Sequence, residues 1–259
     1  MRLIGLETSA IMPLLEVTPR TLPLQKRIQE VQQSISKVEF VTDSYSVEEA
    51  RQQIEVSYTS ALRSLDKTFL IAQRDKLSHP HLLAVTFVKC LAENWYGREE
   101  TLRWSDCLLP VLASSLTYND FFDQMRDSLA LKRDAYLSIL KPDAEWLEID
   151  CKHILTYWAT PTFLTDLRVR IRVIPNSLSL PEFFNILQNS LGEPMRKKLR
   201  VNEVTDLFHL YSLYHDAKAR EVWSCNQGFV KRHRRYLANL SGFAELFDPN
   251  CVCIMRIVH

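Results

Sequence analysis

Leu167-Arg-Val-Arg-Ile-Arg-Val173 decides the fold class of this chain. Apolar and charged residues alternate without a break. That period of two describes a strand with Val169, Ile171 and Val173 on one face and Arg168, Arg170 and Arg172 on the other. A strand needs partners. Cys251-Val-Cys-Ile-Met-Arg-Ile-Val258 is a second β-type run, and Arg2–Leu6 a third. Pairing among residues 167–174, 251–258 and 2–6 would tie both chain ends into a small sheet. Its absence from the circular dichroism spectrum would refute that expectation.

Outward from this stretch the pattern is helical. Residues 24–38 read as a helix. Ser46-Val-Glu-Glu49 has the spacing of a capping box. Behind it Ile54, Tyr58, Ala61, Leu65, Phe69 and Ala72 recur every three or four residues, the buried stripe of a long amphipathic helix. Residues 80–96 are apolar nearly all round and predict a central helix. Residues 99–116 read as helical, with Pro110 bending or ending them. Phe122, Met125, Leu129, Tyr136 and Leu140 mark another helix. Asp143 reads as the cap of the next, lined by Trp146, Ile149, His153 and Tyr157. Residues 181–191, 203–222 (capped by Asn202) and 229–240 complete about eight helices. The expected fold is mainly α with a small sheet, one helix-rich domain over 1–259. A subdivision is drawn near residue 160.

Composition is ordinary for a globular protein, with 46% hydrophobic and 24% charged residues among 259. The net charge is +1 but uneven: 14 Lys and Arg face 9 Asp and Glu in 161–259, against 18 and 22 in 1–160. Six cysteines are scattered, and Glu7 and Glu16 interrupt the apolar start where a signal peptide would lie. These features predict reduced thiols and an intracellular location, cytoplasmic or nuclear. No apolar run reaches the roughly 20 residues needed to span a bilayer. Cys251 and Cys253, with His259 and Cys225 or His233, lack the paired spacing of a zinc site, so no metal or cofactor is assigned.

Two motifs carry candidate chemistry. Arg74-Asp-Lys-Leu-Ser-His79 resembles the Arg–four-to-six-residues–His motif of the HEPN ribonuclease superfamily, with Asp75 where asparagine is more usual. The resemblance covers these six residues. It implies an all-helical dimer cleaving RNA without metal, with His79 moving the proton and Arg74 steadying phosphorane charge. Pro80 offers a different reading of the same residues. It pushes His79 out of the helical region and starts the next helix, which makes this stretch a corner.

The basic clusters are the second motif. Arg196, Lys197, Lys198 and Arg200, then Lys231, Arg232, Arg234 and Arg235, could join Arg168, Arg170 and Arg172 as one phosphate-binding surface. His209 and His215 lie on or near an aromatic helix face and read as core or boundary residues rather than catalysts. The leading expectation is a helix-rich binding or assembly protein. Its partner would be a protein or a nucleic acid met through the basic C-terminal part, and homo-oligomerisation stays open. The alternative is the metal-independent endoribonuclease using Arg74 and His79.

Overall fold

A computed structural model describes residues 2–15, 22–34, 37–93, 98–115, 117–150, 167–190, 200–219, 221–226 and 253–256. The chain is mainly helical with one small sheet, as its patterning requires. It packs as two compact units, Met1–Ala50 with Lys141–His259, and Arg51–Leu140. The charge step near residue 160 falls inside the first unit.

The first unit is built on the sheet. Its strands are β1 (Arg2–Leu6), β2 (Val38–Asp43), β3 (Trp146–Asp150), β4 (Arg168–Ile174), β5 (Glu221–Ser224) and β6 (Cys253–Arg256). Their spatial order is β3-β4-β2-β1-β5-β6. Every pairing is parallel except β3 with β4. The three runs expected to form a sheet do share one, but not as neighbours: β2, β1 and β5 separate β4 from β6.

β4 has the predicted alternation. Val169, Ile171 and Val173 are buried, each worth roughly 1.5–3 kcal/mol by area. β1 and β2 bury Ile4, Leu6, Phe40 and Val41 beside them. Gly5 lies under helical cover. A Cβ there would come within 3.2 Å of the Val222 side chain and 3.3 Å of Leu213.

Several sequence expectations are corrected. Residues 146–150 form β3, not a helix capped by Asp143: Leu147 and Ile149 are buried while Glu148 is exposed, a period of two. Residues 153 and 157 lie outside the described residues. The helix read over 24–38 is α2, Leu22–Ser34, and the β-branched run after it turns into β2. The helix read over 203–222 is α9, Val201–Tyr211. It passes through a wider π turn, Ser212–Asp216, before β5 takes up residues 221–224. Asn202 does not cap it. Arg200 holds the cap position, and its backbone N–H donates to the Glu203 carboxylate at 3.0 Å. Helices α1 (Thr8–Ile11) and α8 (Leu180–Ser190) complete the described α-helices of this unit.

Helix α3, Ser44–Asp75, starts in the first unit and runs into the second. There it is joined by α4 (Pro80–Glu93), α5 (Arg98–Ser105), α6 (Leu108–Ser114) and α7 (Tyr118–Ile139). Their core gathers Leu65, Phe87, Trp104, Phe121, Met125 and Leu129. The stripe read on α3 is the buried one. The 99–116 segment is two helices, and Pro110 sits in the first turn of α6, where its missing N–H costs nothing. α4 is less enclosed than its composition suggests. Leu82 and Val85 are about half exposed, so only one face is core. The Trp104 indole N–H donates to Ser57 Oγ at 2.7 Å, which satisfies a fully buried donor.

Candidate functional site

The strand order reverses at β1. The chain moves from β1 through β2 to β4 on one side, then returns to β5 and β6 on the other. In open parallel sheets such a reversal parts the loops at the carboxyl ends of the strands and leaves a crevice for ligands. In this chain each of the three central strands ends there in polar residues: Glu7-Thr8-Ser9 after β1, Asp43 at the end of β2, and Ser224 at the end of β5.

Asp43, 1% exposed, caps α3 by accepting the Ser46 amide at 2.9 Å. Ser46 and Glu49 are therefore not the capping box that their spacing predicts. The helix starts one residue after Asp43, and both side chains turn to His209 of α9. The Ser46 hydroxyl donates to Asp43 Oδ2 at 2.5 Å. His209 Nδ1 lies 2.8 Å from Ser46 Oγ and 3.3 Å from Asp43 Oδ2. His209 Nε2 lies 3.1 Å from Glu49 Oε2, which also accepts the Thr8 hydroxyl at 2.5 Å. Asn176, after β4, donates to Asp43 Oδ1 at 3.3 Å and to Ser212 Oγ at 2.6 Å.

The second half of the edge centres on Glu7. Its carboxylate accepts the Ser9 amide at 2.8 Å and the Ser9 hydroxyl, which caps α1. Ser9 Oγ accepts the Cys225 amide at 3.0 Å and stands 3.4 Å from Ser224 Oγ. The turns after β1 and β5 are thus stitched together across the reversal.

Electrostatics separate the carboxyl groups. Burial opposes the charge on His209, but Asp43 and Glu49 outweigh it and raise the imidazole from 6.5 to about 10. The ring is an imidazolium at neutral pH, with both N–H groups donating. Asp43 and Glu49 are held below the usual carboxylate range. Burial works against each, and His209 overcomes it. Glu7 goes the other way: burial pushes its carboxyl up more than its hydrogen bonds to Ser9 pull it down. Carboxyls driven apart in this way at a sheet edge mark a functional-site candidate.

The residues picked out in the sequence lie elsewhere. Arg74 is in the last turn of α3, its guanidinium on the Asp75 carboxylate at 2.7 and 2.9 Å. The helix closes with Lys76 at φ 54° and the Leu77 amide donating to the Ala72 carbonyl. His79 accepts the Leu82 and Leu83 amides on its carbonyl and the His81 amide on Nδ1, so it caps α4. Both side chains are exposed.

The basic ridge is already paired. Arg168 faces Asp150 at 3.9 Å and Arg170 faces Glu148 at 3.5 Å, while Arg172 meets Glu39. Arg170 also covers the Trp146 ring at 4.0 Å. Arg200 is exposed at the start of α9. Arg196, Lys197, Lys198, Lys231, Arg232, Arg234 and Arg235 lie outside the described residues.

Cys90, Cys107 and Cys225 are thiols. Among the described residues no three His, Cys, Asp or Glu side chains are grouped to hold a metal ion. No helix there is long and apolar enough to cross a membrane. Compared with known protein families, with curated proteins and with solved structures, the chain matches none.

Proposed function

We propose that this protein works by binding, and that the carboxyl edge around Glu7 is where it meets its ligand. One observation carries the reading. Among the described residues, three carboxyl groups, Glu7, Asp43 and Glu49, gather at the strand-order reversal, and the cation that acts on all three is the imidazolium of His209. Among the described residues, the carboxyl groups of this edge outnumber its cations. Its surroundings are the hydroxyls of Thr8, Ser9 and Ser224. A ligand suited to it brings hydrogen-bond donors and positive charge, as an ammonium or guanidinium group does. The neutralised ridge of Arg168, Arg170 and Arg172 lends no support to nucleic-acid contact through β4. An intracellular setting fits the buried thiols of Cys90 and Cys107.

The pair Ser9–Glu7 favours a second reading, since a hydroxyl hydrogen-bonded to a buried carboxyl can act as nucleophile and base. One set of experiments separates the classes. Purified protein is titrated calorimetrically with arginine- and lysine-rich peptides, and separately incubated with single-stranded RNA in EDTA. Peptide binding that Glu7→Gln weakens at least tenfold supports the binding reading. No peptide binding by the folded wild type refutes it. RNA cleavage lost in Ser9→Ala would move the edge into the enzyme class, whereas cleavage lost only in His79→Ala would place catalysis at the helix corner.

A further inference from the structure

The contacts of His209 have a second consequence, which stands independently of what the edge binds. Val201–Tyr211 carries the residue two turns from its start, with 2% of it exposed. One ring nitrogen reaches back to the end of β2, and the other reaches the second turn of α3. Through Glu49 Oε2 the chain of contacts continues to Thr8, the first residue of α1. From there Ser9 passes it to the Cys225 amide after β5. One side chain thus links α9, β2 and α3, and through Glu49 also α1. Asp43 is sealed, but the Glu49 side chain is 34% exposed, so water and protons reach the linkage from that end.

We propose that Asp43–His209–Glu49 is an acid-loosened latch that holds α9 onto the carboxyl edge and slackens when Glu49 takes up a proton. Among the described residues the titratable groups facing the ring are Asp43 from β2, Tyr45 and Glu49 from α3, and Glu7 from the turn after β1. A neutral Glu49 no longer attracts the imidazolium, and it becomes a competing donor toward Thr8. The Nε2 side then loosens while Asp43 keeps the other nitrogen.

The two kinds of group give the latch a window. The carboxyls have lowered folded values, so their contribution is present above the unfolded 4.5 of Glu49 and is lost as pH falls through the folded value. His209 is raised, so its contribution is full below 6.5 and is lost as pH rises through about 10. The latch is tightest between the two unfolded values.

Amide hydrogen exchange of the whole protein, corrected for intrinsic rate, reads the latch directly. Between pH 7 and pH 3 the protection of Val201–Tyr211 is expected to fall at least tenfold. Tyr118–Ile139, in the other unit, is expected to keep its own. Glu49→Gln copies the protonated state, so it should show the reduced protection at pH 7 with a flatter pH profile. The proposal is overturned if α9 keeps its protection to pH 3, or if both helices lose theirs at one common pH. It is overturned equally if Glu49→Gln matches the wild type throughout. Should that variant not fold, the wild-type profile is joined by the His209 ring signals, which must show two protonated nitrogens at pH 8.

Discussion

Replacing His209 by leucine tests the electrostatic account of the carboxyl edge most severely. The substitution fills similar volume but removes both N–H donors and the positive charge. Asp43, 1% exposed, is left beside Glu49 with no cation between them. Breaking a buried ion pair by removing one partner costs about 3–5 kcal/mol. The partial exposure of Glu49 argues for the lower end, because water can resolvate that carboxylate. Counting bonds gives the same scale, since two hydrogen bonds to charged groups are worth roughly 1.5–3 kcal/mol each. At about 2–4 °C per kcal/mol for a chain of this size, a loss near 3 kcal/mol lowers Tm by about 10 °C. Differential scanning calorimetry at pH 7 measures it. The same comparison at pH 4 should show a smaller loss, because the stranded Asp43 can then take up a proton. A shift under about 2 °C at pH 7, or one that is the same at both pH values, would refute the reasoning.

Three further outcomes follow from named contacts. Glu7 has a raised folded value, so the wild type loses stability as pH rises above the unfolded 4.5. Glu7→Gln removes that loss, and urea midpoints should show it gaining on the wild type from pH 4 to pH 8. Ser57→Ala strips the acceptor from the buried Trp104 indole and should cost about 1–3 kcal/mol by urea denaturation. Gly5→Ala pushes a methyl against Val222 and Leu213, and a cost of about 1 kcal/mol should appear in the same assay; a neutral result would mean that Leu213 yields freely.

The helices and β4 were legible because one periodicity rules each over many residues. The stripe from Tyr58 to Ala72 and the alternation from Arg168 to Val173 need no tertiary knowledge. β3 reads as helical because Trp146 and Ile149 fit a helical spacing as well as Leu147 and Ile149 fit a strand. Five residues cannot decide between the two periods. The carboxyl edge is hidden in the sequence for a different reason. Glu7 registers in the sequence as an interruption of an apolar run, and Ser46 and Glu49 as a cap. Yet Leu-Ile-Gly-Leu-Glu7, Phe-Val-Thr-Asp43 and Val-Trp-Ser224 share a form, a short apolar run closed by a polar residue. Three such endings are a visible signal. That they meet depends on strand order, which pairs residues more than 200 apart, such as Ser9 with Cys225.

The paired ridge on β3 and β4 has a bearing on how the protein behaves in concentrated solution. Among the described strands β3 lies at the margin of the sheet, a position where unpaired backbone groups invite another chain to add a strand. Glu148 and Asp150 line it, and the arginines beside them are already engaged. An incoming strand would have to desolvate that alternating row of charge before gaining its ladder. That paired row of charge therefore raises the cost of adding a strand beside β3. Replacing Glu148 and Arg170 together with threonine, which leaves net charge unchanged, should lower the concentration at which the protein aggregates.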